Sequence, residues 1–315
     1  MALPYAPQAP AMTAEPKPSR RRRSGLDVAQ RRAGLLFVAP YLAFFLILQL
    51  GMFVAAIWVS LHHYDLLAVD NPFVGLRNYV RLPGNEHFMH ALRNTAEYAI
   101  VVVILQTIFA LLLAVLLDAK IKGRNFFRST WYTPSIASSV VIAMIFLYVY
   151  HPTGLLNSVL GLVGIHTQET YLESTTWALP AIMFMNIWTT APTFMLMFLA
   201  ALQDIPHEVY EAASVDGASG TRKLFSITIP LLRPVIFLVV SLGIIGGFQV
   251  FDQMFIMTAG GPLESTLSVS LLIYNNLFKD TGTVGVACAQ AVVLGIIIFA
   301  LTMVSRRFID TKIEY

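Results

Sequence analysis

Long stretches without a charged side chain alternate with short polar connections along the whole chain. Residues 33–64 hold no Asp, Glu, Lys or Arg, and their apolar centre runs from Leu35 to Val59. A second run lies between Glu97 and Asp118, and a third begins after Arg128 and stays apolar to about Tyr150, where His151 and Pro152 close it. A fourth extends from about Thr176 to Leu202, a fifth from about Pro234 to Met257 and a sixth from about Val284 to Ser305. A helix crossing a hydrocarbon core of about 30 Å needs about 20 apolar residues, so each run is long enough to span. Membrane strands would instead show segments of about 10 residues with alternating polarity. The pattern predicts an all-α polytopic membrane protein with six transmembrane helices. Composition agrees: of 315 residues, 57% are hydrophobic and 12% charged, against roughly 25% charged in a soluble globular domain. The single cysteine, Cys288, excludes a fold stapled by disulfides within the chain.

Charge adds a direction. Short cytoplasmic segments retain Lys and Arg, and an N-terminus placed inside collects nearly all of them. Lys17, Arg20 to Arg23, Arg31 and Arg32 precede the first span. Lys120, Lys122, Arg124 and Arg128 lie between the second and third, Arg222, Lys223 and Arg233 between the fourth and fifth, and Arg306, Arg307 and Lys312 after the sixth. Only Arg77, Arg81, Arg93 and Lys279 fall on the other side. Both termini are therefore expected in the cytoplasm. The Pro- and Ala-rich stretch Met1 to Ser24 cannot bury a core and is expected to be disordered. Its Arg20 to Arg23 cluster reads as an anchor near anionic lipid rather than a nucleic-acid site. A signal peptide is disfavoured, because the following apolar run is about twice the usual length and no small-residue cleavage pattern closes it. The expected organisation is a disordered basic tail over 1–33, a first transmembrane helix and external segment over 34–92, a membrane core over 93–308 with a cytoplasmic loop at 204–230, and a cytoplasmic C-terminus over 309–315.

Little in the chain points to chemistry of its own. No G-x-x-x-x-G-K-[ST] loop exists to cradle a nucleotide, and the glycine-rich piece Gly217 to Lys223 has the wrong spacing. His62 and His63 are adjacent beside Tyr64, a membrane-boundary pattern, and no His or Cys set has metal-ligand spacing. Cys288, within the sixth span, reads as a small packing residue. No catalytic residue, metal or cofactor is expected. Ion-coupled transport leaves charged residues inside spans, yet only Asp252 and Glu97 approach the hydrocarbon. Uphill movement of a solute would draw its energy from another polypeptide.

The segment Asp204 to Pro230 is the most informative. Pro206 can occupy a first helical turn, with Glu208 and Glu211 near the positive end of the helix dipole. Val209, Ala212, Ala213 and Val215 give a small apolar face, and Gly217 breaks the helix. Leu224, Phe225, Ile227 and Ile229 then start a second amphipathic turn leading to Pro230. Alanine and glycine let another backbone approach closely, and Glu211 and Asp216 offer charge to a partner's cation. This run resembles the EAA loop of bacterial ABC importer permeases: Glu211, Ala212, Ala213, then Gly217, then Ile227, Ile229 and Pro230. Leu202 to Pro206, Tyr210, Asp216 to Ala218 and Gly260 to Pro262 further resemble the carbohydrate-uptake branch, the maltose and glycerol-3-phosphate permeases. Ile229 stands where the family usually has Leu, a swap of similar volume.

The resemblance implies the type I importer permease fold. It also implies pairing with a second, homologous permease, two ATPase subunits bound to the cytoplasmic loops, and an extracytoplasmic binding protein that delivers a carbohydrate. The coupling residues it implies are Glu211, Ala212, Ala213, Asp216, Gly217 and Pro230. Sugar recognition uses aromatic faces and amide or hydroxyl groups near the midplane, and the fourth span carries Asn186, Trp188, Thr189, Thr190 and Thr193. Asn186, Thr190 and Thr193 share a helix face, and the resemblance assigns Asn186, Trp188, Thr190 and Thr193 to the solute site. Asn and Thr also hold membrane helices together, so packing stands beside that reading. In the fifth span Gly247, Gln249 and Asp252 are assigned to the pathway, with contact to the partner permease as the alternative for Gly246, Gly247, Gln249 and Asp252. A stand-alone secondary transporter or an intramembrane enzyme is the rival, and the EAA spacing argues against both.

Overall fold

The computed structural model describes residues 25–65, 67–68, 70–119, 122–165, 170–279 and 283–309, with side chains from Ala33 onward. The basic tail before Gly25 and the C-terminal residues from Asp310 lie outside the described residues. The chain divides into two units at Val54. In the first, α1 (Gly25–Phe44) continues through a π-helical turn at Phe45–Leu50, and every described side chain is exposed. From Ala33 onward this helix is apolar all round and covered by nothing in its own unit, which suits it to contact with lipid. It starts well before the apolar run, so residues 25–33, expected within the disordered tail, are helical. Apart from Gly25 and Gly34, the stretch before Pro40 lacks helix breakers, and Leu, Gln, Arg and Ala favour helix.

The second unit begins within α2 (Gly51–Ser60) and continues through α3 (Arg77–Arg81), α4 (Glu86–Asp118), α5 (Arg124–Ile136), α6 (Ser139–Val149), α7 (Leu155–Leu162) and α8 (Ala178–Gln203). It then runs through α9 (His207–Val215), α10 (Gly220–Lys223), α11 (Ile229–Leu231), α12 (Arg233–Phe248), α13 (Asp252–Met257), α14 (Val269–Phe278) and α15 (Val284–Ile309). Among the described residues the sole strand-like feature is a single bridge between His62 and Phe73. Five helical runs are long and apolar enough to cross a membrane, Ala33–Ser60, Glu86–Asp118, Ala178–Gln203, Arg233–Met257 and Val284–Ile309; α5 and α6 are long and apolar enough only when taken together as one bent run.

Three of these runs differ from the sequence reading. α4 starts at Glu86, eleven residues before Glu97, because Asn85 accepts a hydrogen bond from the Phe88 amide at 2.9 Å and caps it. Its 33 residues extend over about 50 Å, longer than the hydrocarbon core, and its first turns are buried through Phe88, Ala91 and Thr95. The third run is two helices meeting at 98°. Pro134 lies just before the break, Ala137 and Ser138 are extended (ψ 148° and 149°), and Ser138 caps α6 by accepting from Val141. The fifth run also breaks, with Gln249 to Phe251 separating α12 from α13. α14 was not expected. Ser268 caps it by accepting from the Leu271 amide while donating to the Val250 carbonyl, and Thr95 of α4 accepts from the Val269 amide at 3.0 Å.

α4 is the axis of the unit and packs against α8, α12 and α14. Small side chains allow this closeness: Ala91, Ala110, Ala114, Ala178 and Ala191 are fully buried. Two apolar clusters result. One joins Phe88, Tyr98, Ile182, Met185, Met254 and Leu271; the other joins Leu113, Met195, Phe198, Leu202, Leu232 and Val239. The polar residues Gln106 and Thr190 lie in sequence between the two sets on α4 and α8.

Candidate functional sites

At one end of the bundle, α9 places the loop residues. Pro206 stands just ahead of the helix, which begins at His207, so it precedes the first turn rather than occupying it. The helix ends in a Schellman cap: the Ala218 amide donates to Ala213 O at 2.9 Å and the Gly217 amide to Ser214 O at 3.1 Å. Gly217 takes φ +73°, the left-handed conformation this cap requires. The apolar stripe is split. Ala213 is buried, whereas Glu211, Ala212, Asp216 and Gly217 are exposed and Val215 is 89% exposed. The second turn is helical through Leu224–Thr228 and α11, with Phe225 exposed and Pro230 half-buried. Tyr210 Oη and Thr228 Oγ1 lie 3.0 Å apart, and Lys223 Nζ donates to Ser214 Oγ at 2.6 Å. These bonds fix the two helical pieces against each other, so the exposed face is presented on a rigid base.

The second site lies midway along α8. A cavity of about 160 Å³ is lined by Ser135, Ser139, Ile142, Met185, Asn186, Thr189, Thr190, Thr193 and Gln253, with Pro134 and Ala137. It lies at the bend between α5 and α6 and at the start of α13, and α8 closes its other side. Thr190 Oγ1 donates to the buried Gln106 Oε1 at 2.8 Å and lies 2.8 Å from Asn186 O. Ser135 donates to Thr189 O at 2.7 Å, and Ser139 Oγ donates to Asp252 Oδ2. The last bond joins the first residues of α6 and α13, which also pack together. A larger cavity of about 550 Å³ opens at the far ends of the same two helices, between Leu147, Tyr150, His151 and Pro152 on one side and Ile256 to Ala259 with Gly261 and Pro262 on the other.

The family model of the binding-protein-dependent transport system inner membrane component matches residues 106–315. The chain belongs to that family. It is 33% identical over 285 residues to the trehalose/maltose transport system permease protein MalF of Thermococcus litoralis, covering 89% of this chain and 95% of that one. It is 32% identical to the arabinooligosaccharides transport system permease protein AraP of Bacillus subtilis, over 94% of this chain and 95% of the relative. The sn-glycerol-3-phosphate transport system permease protein UgpA of Salmonella typhimurium is 30% identical, over 89% and 95%. A subunit of a bacterial alginate ABC transporter, solved with an alginate pentasaccharide-bound periplasmic protein, superposes with a TM-score of 0.78 at 21% identity, covering 93% of this chain and all of that one. The fold is that of a type I ABC importer permease, as the loop motif implied.

In this permease the residues assigned to the pathway do not all meet. Asn186, Thr190 and Thr193 line the cavity midway along α8 together. Trp188 points elsewhere, its ring 5.7 Å from that of Phe146 in the apolar cluster. Gly247 is buried against α4, where a Cβ would lie 3.1 Å from Ala99. Gln249, in the break, is exposed, and Asp252 is half-buried and reaches the cavity wall through Ser139. Sequence reasoning missed Gln106, Ser135, Ser139 and Gln253. A signal was present: Gln106 and Thr107 are the only polar side chains between Ala99 and Leu117.

Proposed function

We propose that this chain is a transmembrane permease subunit of an ATP-driven, binding-protein-dependent importer of a sugar or related polyol. It pairs with a second, homologous permease, and two ATPase subunits grip the exposed face of α9 and the turn after it. An extracytoplasmic binding protein delivers the solute at the opposite end, by the larger cavity. Closure of the ATPase dimer moves α9 as a rigid body and alternates access to the midplane cavity. Both termini and the 204–230 loop face the cytoplasm.

The observation that carries this reading is the exposed, rigidly capped α9 with the EAA sequence, in a chain that has no nucleotide-binding loop. A solvated loop helix does not need Ala212, Val215 and Phe225 uncovered, and such an apolar surface marks a docking site. Glu211 lies on the exposed side and Ala213 on the buried side, so α9 has one face for a partner and one for its own bundle. Replacing Glu211 with Lys is expected to leave membrane insertion intact and to abolish both co-purification of the ATPase and uptake of labelled sugars. Undiminished uptake in cells lacking every ATPase partner overturns the proposal.

A further inference from the structure

The relatives named above divide by the charge of what their names say they carry: trehalose, maltose and arabinooligosaccharides are neutral, whereas sn-glycerol-3-phosphate and alginate are anionic. The walls of the midplane cavity bear on which side of that division this permease falls. Residues 33–61, 94–119, 129–150, 176–203, 234–278 and 283–305 contain no Lys, Arg or His, so no span of this chain offers a cation at mid-depth. The polar groups that line the cavity are the hydroxyls of Ser135, Ser139, Thr189, Thr190 and Thr193 and the amides of Asn186 and Gln253. These suit a solute rich in hydroxyls. A carboxylate or phosphate brought into a low-dielectric site without a countercharge is strongly disfavoured.

One acidic side chain lies behind the wall, joined to it through the lining residue Ser139. Asp252 is the single acidic residue in the fifth run, and its Oδ2 accepts the Ser139 hydroxyl at the first residue of α6. At the positive end of that eleven-residue helix, the feature here most able to stabilise an anion, Ser138 accepts from the Val141 amide and the chain's own carboxylate is bonded to the side chain of the first residue. Specificity built on an unfavourable like charge rejects one class of ligand without improving the fit of the other.

We propose that Asp252, held by Ser139 at the meeting of two helix breaks, is a specificity-determining residue that admits neutral, hydroxyl-rich saccharides to this cavity and excludes anionic ones. The proposal rests on the importer reading above and deepens it. It assigns Ser139 a positioning role: the hydroxyl holds the carboxylate at the head of α6.

The test uses the transporter purified through a tag on this chain and placed in nanodiscs without its binding protein, so that the permease alone selects. Equilibrium binding is measured for size-matched radiolabelled pairs, neutral di- and trisaccharides such as maltose and maltotriose against di- and trigalacturonate. The wild-type complex is expected to bind at least one neutral member at least tenfold more tightly than its uronate counterpart. In Asp252→Asn that ratio is expected to fall at least fivefold, with neutral binding kept within about twofold. Ser139→Ala, which leaves the carboxylate in place but unheld, is expected to narrow the ratio less, and it serves if Asp252→Asn does not assemble. Wild-type binding of a uronate as tight as that of its neutral partner, binding of no neutral member, or a ratio unchanged in both variants overturns the proposal. The importer reading fails separately: deletion of this chain would then leave uptake of every sugar tested unaltered.

Discussion

At the scale of single residues, three neighbouring glycines of α12 do different things. A Cβ on Gly243 would lie 2.7 Å from Gln106 Nε2, and one on Gly247 3.1 Å from the Ala99 backbone and side chain, whereas one on Gly246 would meet nothing within 4 Å. Gly243 and Gly247, one helical turn apart, let α12 and α4 approach closely, which is how membrane helices gain packing without a hydrophobic driving force between them. Gly247→Val is expected to destabilise the permease by about 1–3 kcal/mol, as overpacking does, visible as a lower Tm in detergent. Gly246→Ala should leave Tm unchanged or slightly higher, since alanine is the better helix former. Equal effects of the two would show that α12 and α4 do not meet through this face. The sequence reading set Gly247 in the pathway and left partner contact as the alternative for Gly246 and Gly247, without telling which glycine touches α4, because neighbouring residues of a helix point about 100° apart and nothing in one sequence fixes the rotation of α12. The same lack of rotational information put Trp188 beside Asn186 and Thr190 in the expected site, although its ring packs against Phe146.

Among the elements, α9 was the most legible and the two broken runs the least. The helix, its end at Gly217 and the turn leading to Pro230 follow from local signals: small residues, an acidic first turn and a glycine where the cap needs one. The cap also sharpens what Gly217 is for. Open space surrounds its missing Cβ, yet its φ is +73°, so conformation rather than bulk constrains the position. Gly217→Asn is therefore expected to keep coupling, because Asn enters the left-handed region readily. Gly217→Val should cost about 1–2 kcal/mol at the cap, fray the end of α9, and reduce ATPase co-purification and uptake together. If both variants couple normally, the cap is not part of the machinery. The breaks after Ile136 and Phe248 left weaker marks. Pro134, Ser135, Ser138 and Ser139 surround the first, and Gly246, Gly247, Gln249 and Asp252 the second, but a run's hydropathy measures its length, not its straightness. The bends depend on partners far away in sequence, Ser139 with Asp252 and Ser268 with Val250 O. α14 escaped notice for a related reason: its ten residues are too few to cross a membrane, and caps from Ser268 and Thr95 make it a helix.

For the whole molecule, the charge asymmetry and the fold make one joint statement about sidedness. Val215, at the end of α9, is 89% exposed, and Leu263, on the turn after α13, is 91% exposed. Between them lies one apolar passage, Arg233–Met257, so they stand on opposite sides if α12 and α13 cross as one broken span. Arg222, Lys223 and Arg233 gather on the Val215 side, the cytoplasmic side in the orientation proposed above. The chain offers a clean background for the measurement, because its one cysteine is the half-buried Cys288 in α15. In a Cys288→Ser permease, Leu263→Cys is expected to react with a membrane-impermeant maleimide in intact cells, and Val215→Cys only after the membrane is opened. The reverse pattern would invert the molecule and place the α9 face where no ATPase can reach it. Labelling of both from one side would mean that the chain turns back at Gln249 to Phe251 instead of crossing. The walls α6 and α13 would then no longer lead from the larger cavity to the midplane one, and the alternating-access route proposed for this bundle would have no outer half.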